Sequence, residues 1–176
     1  MSRSPPPVHS VLFVCLGNIC RSPAAEGVLR AQSQALSLPL QIDSAGTANY
    51  HVGNPPDPRA RRVARAAGTP IDDLRARQVE ARDFKRFDLI LAADLSVLQE
   101  LQRVRPAQSP ATLALLLEWA GLGAGLEVPD PYYGRLQEFE AVHQLLERAC
   151  RGITARLRGV AECGGTHASE RIGASS

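Results

Sequence analysis

Val11-Leu12-Phe13-Val14-Cys15-Leu16-Gly17-Asn18-Ile19-Cys20-Arg21-Ser22-Pro23 is the stretch whose reading decides the fold. Its first four residues are β-branched, aliphatic and aromatic without polar alternation, the pattern of a strand buried on both faces. Leu16-Gly17-Asn18 breaks the run, and Ser22-Pro23 supplies a helix cap followed by a proline at the first helical position. A helix is then expected over 24–36, where Ala25, Val28, Leu29 and Gln32 fall at helical spacing. The order is strand, tight loop, helix. A cysteine closes the strand, and an arginine follows it six positions later.

Such a loop has chemical content. Closing onto a helix N-terminus, it points several backbone N–H groups inward and makes an anion cradle. Gly17 lets the backbone approach a bound group without a side-chain clash, and Asn18 tolerates the left-handed conformation such a nest needs. Arg21 offers a planar fork matched to two oxygens of a phosphate. Inward dipoles, a helix N-terminus and a guanidinium together favour the thiolate of Cys15, as in the electropositive surroundings of reactive cysteines. The expected reaction is attack on phosphorus, giving a phosphocysteine.

Outward from this loop, a second strand is expected over 40–43, running into Ser44-Ala45-Gly46-Thr47. Asp57-Pro58 repeats the cap-plus-proline signal before a short helix over 59–67 that Gly68 ends. Residues 88–92 form another buried-strand candidate and 95–104 a helix. Residues 113–119 fit a last strand or a buried helical turn equally well. Phe139, Val142, Leu146, Ala149, Cys150, Ile153 and Leu157 step by three and four, marking a long amphipathic helix. Alternating strands and helices predict an α/β fold, a three-layer αβα sandwich on a four-stranded parallel sheet. Ligands in such folds sit at the carboxyl ends of the strands, where the loop after Val14 lies.

Composition narrows the alternatives. The 176 residues are 44% hydrophobic and 22% charged, which excludes a disordered chain, a collagen-like repeat and a coiled-coil rod. A net charge of +2, from 20 basic and 18 acidic side chains without a long basic run, gives no support to nucleic-acid binding. Four cysteines in a chain this long do not read as a disulfide framework. The start of the chain has no apolar h-region, and the longest apolar run near it is far below the ~20 residues that span a bilayer. A reduced, cytoplasmic protein with no membrane partner is expected.

The quoted stretch matches, position by position, the phosphate-loop signature of the low-molecular-weight protein tyrosine phosphatases. Asp43-Ser44-Ala45-Gly46-Thr47, Tyr50-His51-Val52-Gly53 and Pro56-Asp57-Pro58-Arg59-Ala60 resemble their next segments, and Asp130-Pro131-Tyr132-Tyr133-Gly134 resembles their general-acid loop. The likeness spans roughly residues 8–157, with Tyr50-His51-Val52-Gly53 nearer to bacterial members. It implies a phosphatase domain over 10–160, between a flexible lead at 1–9 and a flexible tail at 161–176. It further implies hydrolysis of phosphotyrosine in proteins, a bacterial tyrosine kinase among the candidate substrates, with inorganic phosphate or other oxyanions in the same cup.

The resemblance assigns Cys15 as nucleophile, Arg21 as phosphate clamp and Asp130 as general acid. An acid is needed because a phenolate, whose conjugate acid has a pKa near 10, leaves poorly. Pro129 and Pro131 stiffen the backbone on both sides of Asp130. Leu16, Gly17, Asn18, Ile19, Cys20 and Ser22 would surround the phosphate, and Tyr50, Tyr132 and Tyr133 would wall the mouth, with His51 on the same rim. Equivalents of Asn18, Ser22 and Ser44 form a hydrogen-bond network in the family. Some members extend it with a histidine, which falls near Leu74 here and is missing. Members with a second loop cysteine form a reversible disulfide, which would let Cys20 guard Cys15.

No cofactor or metal is expected. A zinc site from Cys15, Cys20, Cys163 and His167 would have to join a buried strand end to a Gly-rich tail. Two rivals share the fold. Arsenate reductases need a cysteine relay, and residues 74–128 hold no cysteine. Protein-arginine phosphatases tend to carry threonine where this chain has Ile19, and one aromatic after the Asp-Pro where this chain has Tyr132 and Tyr133.

Overall fold

The computed structural model describes residues 6–164, and the helix side chains from residue 160 onward are outside that description. Residues 165–176 of the expected tail, with His167, and residues 1–5 of the expected lead therefore lie outside the described residues, while residues 161–164 continue the last helix and the Cys163 side chain is outside the description. Along the chain the elements are β1 (Ser10–Cys15), α1 (Arg21–Ala35), β2 (Gln41–Gly46), α2 (Pro58–Ala66), α3 (Asp83–Arg86), β3 (Leu89–Ala92), α4 (Leu95–Val104), β4 (Thr112–Leu115), α5 (Leu116–Trp119) and α6 (Leu136–Gly164).

Val11, Leu12, Phe13 and Val14 are at most 1% exposed, because β1 is central in the sheet and covered on both faces. The sheet order is β2-β1-β3-β4 and every pairing is parallel. On one face, Val11, Phe13, Leu89 and Leu91 meet Val28 and Leu29 of α1, Leu116 and Leu117 of α5 and Leu146 and Ile153 of α6. On the other, Leu12, Val14 and Ile90 meet Phe84 of α3, Phe87, and Val97 and Leu101 of α4. This is the three-layer arrangement the alternation of elements predicts. A third cluster joins Ala60 and Ala64 of α2 to Ile19, Cys20, Ile71 and Phe139, setting α2 against the loop after β1.

The chain leaves β1 towards β2 and later returns to β1's other side as β3. The carboxyl ends of β1 and β3 thus flank a switch point, where α/β sheets place ligands. Ala93 N–H donates to Val14 O and Val128 N–H to Ala93 O, tying the segment before Asp130 to that edge.

Local signals hold except at Ser22, and β2 runs through Gly46, past the end of the strand expected over 40–43. Asp57 caps α2, accepting from Arg59 N–H at 2.8 Å with Pro58 in the first turn, an arrangement that contributes about 1 kcal/mol. Ser22, expected to cap α1, does not. The helix starts at Arg21, its cap residue is Cys20, and no side chain bonds the cap. Pro23 therefore occupies the third helical position, where its missing N–H is one of four that have no intrahelical acceptor. The Ser22 hydroxyl is drawn inward to Cys15 instead. Residues 113–119, which fit strand or helix, are divided between the end of β4 and α5.

One glycine is fixed by space. Cys15 pairs with Gly46 across β1 and β2, and a Cβ on Gly46 would lie 2.6 Å from Leu16 O and 3.2 Å from Asn18 N. Both contacts are backbone, so the loop after β1 must shift to accept a methyl group. Gly46→Ala is expected to lower the unfolding free energy by about 1–3 kcal/mol, the usual cost of overpacking a tight site. An unchanged urea midpoint would contradict this.

Candidate active site

Cys15 ends β1 with its side chain turned into the loop and is 3% exposed. Its Sγ lies 3.0 Å from Ser22 Oγ and receives the Asn18 backbone N–H at 3.3 Å. Asn18 has φ +55°, the left-handed conformation expected of it. That turn folds the loop back over the sulfur. Asn18 apart, the backbone N–H groups of residues 16–20 have no protein acceptor among the described residues. They ring the mouth of the loop as free donors, which makes an anion cradle.

Behind the loop, the Asn18 amide Nδ2 donates to Ser22 Oγ at 2.8 Å and to Ser44 Oγ at 3.0 Å. Its Oδ1 accepts from Arg77 N–H at 3.0 Å. Leu74, near which the resemblance places the histidine of some members, is partly buried and packed on the α2 cluster. The amide oxygen of Asn18 is held by a main-chain donor.

Arg21, 4% exposed, donates from Nη1 to Asp94 Oδ2 at 2.7 Å and to Val128 O at 3.1 Å. Its Nη2 lies 3.6 Å from Asp130 Oδ2. Asp94 also caps α4, accepting from Val97 N–H at 2.8 Å, so a helix start steadies the carboxylate that aims the guanidinium. A buried guanidinium without such a partner would cost about 3–5 kcal/mol. Asp130 is looser. Its side chain is 45% exposed, and its Oδ1 accepts from Tyr132 N–H at 3.1 Å.

Arg59 braces the acid segment. From the start of α2 it chelates Asp57 and donates to Tyr132 O and Gly134 O, both at 2.9 Å. Its guanidinium also lies 4.3 Å from the centre of the Phe139 ring. Asp57 N–H in turn donates to Ile19 O at 2.8 Å, so one chain of contacts links the phosphate loop, α2 and the acid segment.

These groups converge on a cavity of about 220 Å³, lined by Cys15, Arg21 and Asp130 with Leu16, Gly17, Ile19, Cys20 and the rim aromatics. The rim is a row of rings. Tyr50 and His51 stand edge to face with centroids 6.5 Å apart, His51 and Tyr132 are 6.4 Å apart, and Tyr132 and Tyr133 5.0 Å apart. Tyr133 is almost wholly exposed and Tyr132 only 38%. Of the residues the sequence assigned to the site, Asn18, Ser22 and Ser44 do not line the cavity and stand behind it. Cys20 is buried and free, and burial pushes its thiol well up, with Asp57 and then Cys15 adding to the effect. Among the described residues no three His, Cys, Asp or Glu side chains cluster as metal ligands would. No described helix is long and apolar enough to cross a membrane.

The family model for low molecular weight phosphotyrosine protein phosphatase matches residues 10–161. The chain belongs to that family. Low molecular weight phosphotyrosine protein phosphatase of Schizosaccharomyces pombe is 48% identical over 127 residues, covering 70% of this chain and 81% of its own. Low molecular weight protein-tyrosine-phosphatase of Streptomyces coelicolor is 41% identical over 155 residues, covering 85% and 94%. A solved protein tyrosine phosphatase of Entamoeba histolytica, with Hepes in its active site, superposes with a TM-score of 0.79 at 40% identity, covering 85% of this chain and 97% of that one. Within the family's fold, Asp94, Arg59, Arg77 and Glu26 are the site-supporting residues that the sequence pattern did not single out.

Glu26 sits on α1, 4% exposed, and accepts from Ser44 Oγ at 2.6 Å. Arg30 Nη1 is 3.9 Å away, but the guanidinium already donates to both oxygens of Asp73, from Nη1 to Oδ2 and from Nη2 to Oδ1. Burial pushes the Glu26 carboxyl up to about 7, against the pull of the Ser44 hydrogen bond. In the unfolded chain the same group titrates near about 4.3, so the folded state holds a proton that the unfolded state has lost. The resulting stability is present below that value and disappears as pH rises through the folded one. Compared with Glu26→Gln, the parent is expected to lose about 3 kcal/mol of unfolding free energy between about pH 4 and pH 8. Urea titrations across that range check it, and a difference that stays constant with pH would contradict it.

Proposed function

We propose that this chain hydrolyses protein phosphotyrosine in two steps, with Cys15 as nucleophile, Arg21 as phosphate clamp and Asp130 as acid and then base. The class of activity follows from the family, that of the protein-tyrosine phosphatases. The single observation that carries the residue roles is convergence. Cys15, Arg21 and Asp130, drawn from the end of β1, the start of α1 and the segment before α6, line one cavity.

In the first step the phosphate oxygens take the N–H ring of the loop and the Arg21 guanidinium. These donors are fixed before substrate arrives, so they need no reorganisation as charge develops on the transferring group. The sulfur attacks phosphorus in line, the P–O bond to tyrosine breaks, and Asp130 gives its proton to the departing phenolate oxygen. Exposure of Asp130 at the rim, on the solvent side of Arg21, suits a group that must reach a leaving oxygen. In the second step ionised Asp130 takes a proton from a water, the water attacks phosphorus, and the P–S bond breaks. Ser22 Oγ, 3.0 Å from the sulfur, donates to the thiolate that departs.

The rim aromatics favour an aryl over an alkyl phosphate, and Ile19 in the wall gives an apolar contact suited to a phenyl ring. Proteins bearing phosphotyrosine, a bacterial tyrosine kinase among them, are the proposed substrates. The proposed compartment is the cytoplasm, where Cys15 and Cys20 stay reduced. The arsenate reductase reading loses its relay, since Cys150 is fully buried in α6 against the Ala25 carbonyl.

Two substitutions test the assignment. Cys15→Ser is expected to abolish phosphate release and to retain phosphotyrosine proteins as a trap. Asp130→Ala should lower kcat on phenyl phosphate by about 10²–10⁴, and far less on an activated aryl phosphate whose phenolate leaves unaided. Equal losses on both substrates would remove Asp130 from the acid role. Faster release from phosphoarginine than from phosphotyrosine peptides would overturn the substrate class.

A further inference from the structure

Glu26 and Cys15 occupy the two ends of one buried hydrogen-bond network, and the donors in it run outward from its centre. Arg77 N–H occupies Asn18 Oδ1, which fixes the way the amide lies. Asn18 Nδ2 must then donate both hydrogens, one to Ser22 Oγ and one to Ser44 Oγ. Each hydroxyl, already an acceptor, turns its own proton away from Asn18. Ser44 donates to Glu26 Oε2 at 2.6 Å. Ser22 faces Cys15 Sγ at 3.0 Å, with Ala45 O at 3.3 Å as its other acceptor. All five side chains are 4% exposed or less.

We propose that Glu26 is a positioning residue: through Ser44, Asn18 and Ser22 its carboxyl sets how strongly the Cys15 sulfur is hydrogen-bonded, supporting the sulfur anion when neutral and competing with it when ionised. This rests on Cys15 being the nucleophile. A carboxylate at one end draws the Ser44 proton and makes Ser44 Oγ a stronger acceptor for Asn18. The amide nitrogen that donates more strongly on that side is a weaker donor towards Ser22, and Ser22 in turn is a weaker donor to sulfur. Among side chains this deeply buried the polarisation is weakly screened, and direct repulsion between the two anions adds to it.

The charges around Glu26 leave it able to switch. Arg30 on α1 favours the carboxylate, but from 3.9 Å and while bound to Asp73. Asp43 of β2 and Asp73, from the segment between α2 and α3, both oppose ionisation. Arg77 is turned to Asp43 and Asp83, at 3.0 Å from each. Burial, the largest influence, brings the carboxyl to about 7. Departure of the sulfur anion in the second step is where a weakened Ser22 donor slows the reaction.

The test compares kcat against pH in the parent and in Glu26→Gln, which keeps the acceptor for Ser44 and removes the charge. Asp130 acts in both proteins, so the ratio isolates Glu26. The parent is expected to lose kcat relative to the variant by about fivefold between about pH 6 and pH 8, at the low end of site-to-site couplings. A ratio that does not change with pH would assign Glu26 a structural role and overturn the proposal. A second measurement avoids the variant altogether: the ¹³C titration of the Glu26 carboxyl carbon in the parent and in Cys15→Ser. With no sulfur anion at the far end, the midpoint is expected to fall, by reciprocity of the coupling. An unmoved midpoint would overturn the proposal even if Cys15 is the nucleophile. Residual hydrolysis by Cys15→Ser would instead strike at the nucleophile assignment.

Discussion

Asn18 holds the site together from the inside. Its left-handed backbone, tolerable for asparagine and costly for most residues, turns the loop so that its own N–H meets the sulfur. Its side chain then spends every polar atom on the surroundings, two hydrogens to Ser22 and Ser44 and its oxygen to Arg77 N–H. A buried amide with all these bonds made has one low-energy orientation, and leaving any of them unmade would cost about 1–3 kcal/mol. The loop's shape is therefore fixed by satisfied hydrogen bonds, and the set of loop N–H groups left without a protein acceptor is a consequence of it. Gly46 supplies the space for this closure and a fully buried β1 supplies the rigid start.

Electrostatics divides the remaining work between two carboxylates of different firmness. Asp94, a helix cap at 2.7 Å from Arg21, neutralises a guanidinium that is otherwise out of water. Asp130 stands farther off, 3.6 Å from the guanidinium, and half in solvent. If the two were equally tight, the guanidinium would be saturated by protein and have less to offer a phosphate. The Arg59 brace reconciles looseness with position. It fixes the carbonyls of Tyr132 and Gly134 and leaves the Asp130 carboxyl itself a single bond to Tyr132 N–H.

How much of this the sequence carries depends on the range of the interactions. Patterns that act over a few residues were legible: the apolar run of β1, the Asp57-Pro58 cap, the spacing of α4 and α6, and the left-handed Asn18. Ser22 shows where local chemistry misleads. Serine before proline is a cap signal, but here Ser22 lies inside α1, its oxygen accepts from Asn18 Nδ2 and its hydroxyl faces the Cys15 sulfur 3.0 Å away. The division of 113–119 is a case of two elements meeting inside one apolar run, where periodicity has no purchase. Four-residue α3 left no pattern long enough to read. Asp94, Arg59 and Glu26 were missed for another reason: their partners lie 18 to 75 residues away in sequence, and only the sheet order brings them together.

The main-chain donor on Asn18 has a consequence for the whole network. Here the amide oxygen of Asn18 is satisfied by a main-chain N–H that cannot titrate, on a residue whose side chain is anchored to Asp43 and Asp83. The amide fixed in this way joins two buried ionisable ends, Cys15 and Glu26, and among the described residues the close donor to Glu26 is a serine hydroxyl. Loop geometry becomes insensitive to pH because a backbone donor holds it. The carboxyl behind the loop is held less firmly, because its one nearby cation, Arg30, stands 3.9 Å away and is engaged by Asp73. A rigid amide and a loosely countered carboxyl thus stand at neighbouring points of one network.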